Sequence, residues 1–267
     1  PLGRPILGEV ATIQALRRPR VLAFRDRHYR PSQVVISVAG NFSFEPVLRQ
    51  VKAAFGGAWG QGRVSDRRIP PTLARGIRVR TKPLEQAHLC FGLKGVSQRD
   101  KDRYGAYALN AILGGGVSSR LFQEVREKRG LAYSIYSSVM CFTDSGLLTV
   151  YAGARPDVAP RVMGLVLAEL RRLQAKPVGR AELARAKSQL KGNLMLGLES
   201  TSSRMSKLAK DEMYYGRHVP LREIMADIDA VSVDQLSRLS RELLDDRHLT
   251  VTALGPLKKK DVECVMQ

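Results

Sequence analysis

Two polar side chains, Arg126 and Tyr133, close a stretch that runs Gly114-Gly115-Gly116-Val117-Ser118-Ser119-Arg120-Leu121-Phe122-Gln123-Glu124-Val125-Arg126-Glu127-Lys128-Arg129-Gly130-Leu131-Ala132-Tyr133. A guanidinium and a phenol are both hydrogen-bond donors. Donors aimed at a carbonyl oxygen, or at the oxyanion it becomes, are what acyl transfer to water requires. The sequence offers them no evident companion. No nucleophile stands out, and His28, His88, His218 and His248 are too scattered for a short-spaced metal motif. Each donor also has a plain structural reading, as one more solvated arginine and as an aromatic at the edge of a core.

Positioning such a pair needs a corner. Ser118 or Ser119 can cap a helix that turns Leu121, Phe122 and Val125 inward. Arg126 then falls late in that helix, where a cation suits the negative end of the dipole. Gly130 is the helix exit and Tyr133 opens a strand. The end of a helix and the start of the next strand are neighbours in space, so the two side chains can converge. Gly114, Gly115 and Gly116 let a backbone or a ligand approach closely. The missing Gly-Lys-Ser/Thr ending argues against a phosphate-cradling loop, and a dinucleotide fingerprint is absent because the later glycine is missing.

The ends of the chain carry an internal repeat. Ile13 aligns with Ile228, and at the same offset Leu16 meets Val231, Val21 meets Leu236 and Phe24 meets Leu239. Val34, Ile36, Val38 and Gly40 then meet Leu249, Val251, Ala253 and Gly255. Each block has helical spacing first and strand alternation second, so each reads as helix, turn, strand, glycine. Breakers between Gly56 and Arg75, among them Ile69-Pro70-Pro71, mark a linker. The organisation expected is the end of a first domain over residues 1–60, a linker over 61–75 and a complete second domain over 76–267.

Within the second domain, strands are expected over 76–80, 87–95, 132–142 and 147–154. In the second of these, Ala87, Leu89, Phe91 and Leu93 share one face while His88 and Cys90 share the other; His88 reads as structural. Helices are expected over 100–113 and 158–173, with a long helical stretch over 181–215 in which Gly192 and Gly197 are candidate breaks or kinks. Hairpins outnumber regular crossovers. The fold class is α+β, an antiparallel sheet with helices packed on one face, in a duplicated architecture whose first copy is incomplete.

The formal net charge of +19 and a pI near 10.3 raise the question of nucleic acid. Basic residues are spread along the chain, however, and Lys258-Lys259-Lys260 is the longest run, so a bias toward acidic partners or substrates is the better reading. No apolar window reaches the length of a membrane span. The three cysteines, Cys90, Cys141 and Cys264, have no short spacing, which argues against a disulfide framework.

Residues 113–133, with Thr143-Asp144-Ser145-Gly146-Leu147 and Tyr151-Ala152-Gly153, strongly resemble the pitrilysin/insulinase family of zinc peptidases, which includes the mitochondrial processing peptidases. Pro1-Leu2-Gly3-Arg4-Pro5-Ile6-Leu7-Gly8 is similar to a segment late in that family's first domain, and Glu199-Ser200-Thr201-Ser202-Ser203-Arg204-Met205 to the helical region of its second. The resemblance covers essentially the whole chain. It implies duplicated domains, with zinc bound in the first domain by an inverted H-x-x-E-H motif and a downstream glutamate. That motif is absent here. The resemblance therefore implies a C-terminal part, or non-zinc half, of a zinc metalloendopeptidase, which binds no zinc and is inactive by itself.

Further expectations follow from the resemblance. Arg126 and Tyr133 match the catalytic arginine and tyrosine of the second domain, which bind substrate carbonyls and the tetrahedral oxyanion. Gly114, Gly115, Gly116 and Ser118 match a substrate-contacting loop. The partners implied are a peptide substrate and a zinc-bearing first domain or subunit, in a dimer, with no nucleic acid. The rival is a non-catalytic subunit that binds peptides or scaffolds a complex. A bacterial cytoplasm is the location expected, with the mitochondrial matrix as the alternative.

Overall fold

The computed structural model describes residues 2–56 and 69–266. Its elements are α1 (Val10–Gln14), α2 (Arg18–His28), a 3-10 turn (Pro31–Gln33), α3 (Phe44–Phe55), β1 (Gly76–Thr81), β2 (Ala87–Lys94) and α4 (Arg103–Leu113). A π-helical turn (Phe122–Glu127), β3 (Ala132–Cys141), β4 (Gly146–Ala154), α5 (Ala159–Ala175) and α6 (Arg180–Gly197) follow. The chain ends with α7 (Thr201–Tyr215), α8 (Leu221–Ala230), α9 (Val233–Leu243), a 3-10 turn (Asp246–His248), β5 (Thr250–Gly255) and α10 (Lys259–Met266). They form two compact units. One takes the residues up to Pro71 with Leu198–His218, the other Thr72–Gly197 with the residues from Val219 onward. The expected linker falls partly on residues 61–68, outside the described residues.

The larger unit is built on one five-stranded sheet in the order β1-β5-β2-β4-β3. Only β1 and β5 pair in parallel; the other three ladders are antiparallel. Strand alternation decides which face is covered. Leu89, Phe91, Leu93, Leu148, Val150, Val251 and Ala253 are fully buried, and the residues between them point the other way. Helices α4, α5, α9 and α10 pack on one another and on the strands. Each large apolar side chain buried this way contributes about 1.5–3 kcal/mol. The mixed architecture is thus α+β, with a mostly antiparallel sheet and one helical layer.

The helical stretch expected over 181–215 is two helices. Gly192 sits inside α6 without breaking it, α6 ends at Gly197, and α7 restarts at Thr201. Ser200 makes the restart: its hydroxyl accepts the Ser203 N–H at 3.4 Å. Gly216 ends α7 in the left-handed region, at φ 65°.

The repeat returns in the elements. At the offset read from the sequence, α2 falls on α9 and Pro31–Gln33 falls on Asp246–His248, residue for residue. Gly40 and Gly255 share an unusual φ, 151° and 146°. The environments differ. Leu236 and Leu239 of α9 are buried, whereas Val21 and Phe24 of α2 are exposed. Val251 and Ala253 of β5 are 0% exposed, but Ile36 and Val38 are 44% and 42% exposed. The alternation over residues 34–39 predicts a strand. Val34 is extended, but residues 34–39 pair with no strand among the described residues, because a strand needs a ladder partner as well as alternation. In the smaller unit, Val35, Val38, Phe42, Phe44, Leu48 and Leu208 line an open apolar groove, and Ser37 Oγ donates to the Met205 carbonyl at 2.8 Å.

Candidate functional site

The corner around Arg126 is π-helical rather than the capped α-helix expected from Ser118 or Ser119. The Lys128 N–H donates to the Gln123 carbonyl five residues back, at 3.0 Å. Single π turns of this kind recur at functional sites. Ser119 is buried and its hydroxyl donates backward to the Gly116 carbonyl at 2.5 Å, so it caps nothing. Ser118 is exposed and makes no cap bond either. Gln123 supplies a turn-closing bond instead, from Nε2 to the Val117 carbonyl at 2.8 Å. Gly130, at φ 60°, leaves the helix; its N–H bonds the Arg126 carbonyl at 3.0 Å.

That exit brings Arg126 and Tyr133 together. Arg126 Nη1 donates to the Tyr133 backbone carbonyl at 2.8 Å. The guanidinium carbon lies 4.5 Å from the Tyr133 ring centroid and 4.9 Å from that of Phe122. Cation–π stacking between two rings fixes the guanidinium plane without a carboxylate partner. An arginine has five N–H donors, and only Nη1 has a hydrogen-bond partner among the described residues. The Tyr133 side chain is 78% exposed, and its hydroxyl has no such partner. The corner therefore presents a charged donor and a phenolic donor side by side, both open to an incoming oxygen.

Neighbouring ion pairs hold the corner. Arg120 grips Glu182 of α6 in a fork, Nε to Oε1 at 2.9 Å and Nη2 to Oε2 at 2.8 Å. The Arg120 hydrogen bonds hold the Glu182 carboxyl below the ordinary glutamate range despite burial. Glu124 accepts from Lys128 and from Arg129 Nη1, which lowers its pKa in the same way.

The three glycines serve close packing. Gly114 is buried, its carbonyl accepts the Ser137 N–H of β3 at 3.0 Å, and a Cβ there would stand 2.6 Å from that nitrogen. A Cβ at Gly115 would meet Ala111 Cα at 2.8 Å, and the Gly115 carbonyl accepts Gln189 Nε2 at 2.9 Å. The close approach that these glycines allow is made by the protein's own β3, α4 and α6. Val117 and Ser118 form the exposed tip of the loop.

A further arrangement lies beyond what the sequence reading reaches. His88 Nδ1 lies 2.8 Å from the Tyr151 hydroxyl, and the Tyr136 and Tyr151 rings pack at a tilt, centroids 5.2 Å apart, on the uncovered face of the sheet. Burial is the main cause of a raised Tyr151 pKa. The alternation of β2 already puts His88 and Cys90 on that face; the tyrosines need the register of β2, β3 and β4. Among the described residues, no three His, Cys, Asp or Glu side chains are grouped to hold a metal ion. The described residues therefore do not fit a zinc centre.

Comparison with known proteins places these features. A family model described as the peptidase M16 inactive domain matches residues 15–190. An uncharacterized zinc protease of Streptomyces coelicolor is 39% identical over 269 residues, covering 97% of this chain and 58% of that protein. An uncharacterized zinc protease of Bacillus subtilis is 38% identical over 245 residues, covering 92% of this chain and 59% of that protein. A crystal structure of a peptidase M16 inactive domain from Pseudomonas fluorescens superposes with a TM-score of 0.81 at 24% identity, over 94% of this chain and 60% of that one. The chain thus spans about three-fifths of the length of these relatives.

Proposed function

This chain belongs to the peptidase M16 family and carries its inactive domain; we propose that it is the zinc-free half of a divided peptidase site. Its role there is to bind the peptide and to polarise the bond that is cut. The observation that carries the reading is the pairing of Arg126 and Tyr133 on one exposed corner, with donors of both still free. The guanidinium grips a backbone carbonyl of the substrate, and the phenol donates to the oxygen that gains charge as water attacks. Such donors act by being in place before the charge develops. The exposed loop tip, Val117 and Ser118 beyond Gly114–Gly116, lies along the peptide.

A zinc-bearing half supplies the metal, as a preceding domain or a partner subunit. The exposed apolar face of the smaller unit supports this, because contiguous apolar surface of this kind marks an interface. There the first copy of the repeat has its helix and turn, but its apolar residues lack the covering that buries the second. Assembly as a dimer and a cytoplasmic location complete the proposal; no described helix is long and apolar enough to cross a membrane. The second reading is a peptide-binding or scaffold subunit without hydrolysis; the lack of a metal-binding group among the described residues is common to both readings.

The test is steady-state hydrolysis of an unfolded peptide by the full-length, zinc-loaded protein. Arg126→Ala and Tyr133→Phe should each lower kcat/KM by about 10²–10³-fold. Unchanged turnover in both would remove them from the chemistry, and binding without cleavage in the wild type would select the second reading.

A further inference from the structure

The uncovered face of the sheet has a composition of its own. The register brings Arg78, Thr252, Cys90, Tyr151 and Tyr136 into one row across all five strands. Arg80 and His88 flank it in the next row, separated by Leu254. Lys94 ends β2 on the same face. Among the outward residues of the five strands there is no carboxylate. The nearest acids in sequence, Glu85 and Asp144, lie in the connections that flank the strands.

Arg78, Arg80 and Lys94 are exposed, and none has an ion-pair partner among the described residues. Elsewhere in this unit arginines pair freely, as Arg120 does with Glu182 and Arg238 with Asp102. Arg78 and Arg80 on the edge strand β1 are thus left without counter-charge, while the opposite side of the face is aromatic. Neighbouring strands are about 4.8 Å apart, so Arg78 and Tyr136, at the two ends of the row, are separated by about 19 Å. An extended peptide covers that distance in about six residues.

We propose that this face selects extended peptides that carry carboxylates at one end and an apolar or aromatic side chain about six residues away. Arg78 and Arg80 receive the carboxylates, and the Tyr136–Tyr151 ring pair, steadied by His88, receives the apolar side chain. The inference rests on the peptidase reading and gives it a substrate class. Charge complementarity carries it, since a face with cations and no acids attracts one sign and repels the other.

The test uses fluorescein-labelled decapeptides that differ only in a Glu-Glu or Gln-Gln pair at one end, with binding to the full-length protein read by anisotropy. The Glu peptide should bind about tenfold tighter at low salt, with the ratio shrinking as salt rises. The double variant Arg78→Glu/Arg80→Glu should bring the ratio to one or invert it. Arg78→Lys/Arg80→Lys should keep it, which shows that charge rather than folding is at issue. Equal binding of the two peptides, or a preference that survives the charge reversal, overturns the proposal. So does displacement of the Glu peptide by a DNA oligonucleotide at physiological salt, which would make the face a nucleic-acid surface. If the Gln peptide is still cleaved in an Arg126- and Tyr133-dependent way, the peptidase reading outlives that failure; if neither peptide binds, both fall.

Discussion

Replacing Gly114 by alanine tests whether the glycine loop is a packing device. A Cβ there would come 2.6 Å from Ser137 N, 2.7 Å from Ser137 Oγ and 2.9 Å from Ser137 Cβ. Ordinary carbon contacts begin nearly an ångström farther out. The obstacle is the backbone of β3, which the bond from Ser137 N–H to the Gly114 carbonyl ties to the loop. No rotamer change can relieve it. Overpacking of this kind costs about 1–3 kcal/mol, and an unyielding backbone puts the expected loss toward the upper end. Gly192 is the control. It lies within α6, and a Cβ added there would meet nothing within 4 Å, so alanine should stabilise by about 0.5–1 kcal/mol. For a chain of this size one kcal/mol moves Tm by about 2–4 °C. Thermal unfolding followed by circular dichroism should place Gly114→Ala about 4–10 °C below the wild type and Gly192→Ala about 1–3 °C above it. A Gly114→Ala protein as stable as the wild type would refute the packing argument and return the loop to a purely ligand-facing role.

Two further substitutions bear on the scaffold. Glu182→Gln should cost about 1–2 kcal/mol at pH 7, since it breaks the fork from a partly buried Arg120. Because the folded carboxyl is held below its ordinary range, this contribution is present above the unfolded pKa and fades as pH falls through the folded one. Urea unfolding should therefore show the gap between wild type and Glu182→Gln closing below about pH 4; a gap that widens in acid would contradict the assigned cause. Ser200→Ala should fray the start of α7 at a cost of about 0.5–1 kcal/mol, seen as faster amide exchange at Ser203.

Much of the larger unit is legible in the sequence because its strands obey a simple rule. Ala87, Leu89, Phe91 and Leu93 alternate with polar neighbours, and the sheet buries that set. The helix, turn and closing glycine of the repeat are legible in the same way, but the strand expected over 34–39 is not formed, for want of a ladder partner among the described residues. The Arg126–Tyr133 convergence is legible from the glycine exit between them. The π turn is not, because Leu121, Phe122 and Val125 suit an α or a π backbone equally; the choice lies in which carbonyl each N–H meets. The break before α7 is legible at Gly197, where α6 ends, and Ser200 is an available capping signal; Gly192, the other candidate, stays helical because an exposed helix interior tolerates a glycine at modest cost. The packing role of Gly114–Gly116 depends on Ser137 and Gln189, which are remote in sequence and carry no motif. The pairing of β1 with β5 is likewise out of reach, since it joins strands from opposite ends of the unit.

The measurement that bears most directly on the divided-site account is the zinc content and peptidase activity of this chain purified alone and then mixed with a zinc-bearing half. The account predicts no stoichiometric zinc and no hydrolysis from the chain alone, with turnover on mixing that depends on Arg126 and Tyr133. One zinc per chain, together with cleavage of an unfolded peptide by the chain alone, would contradict it.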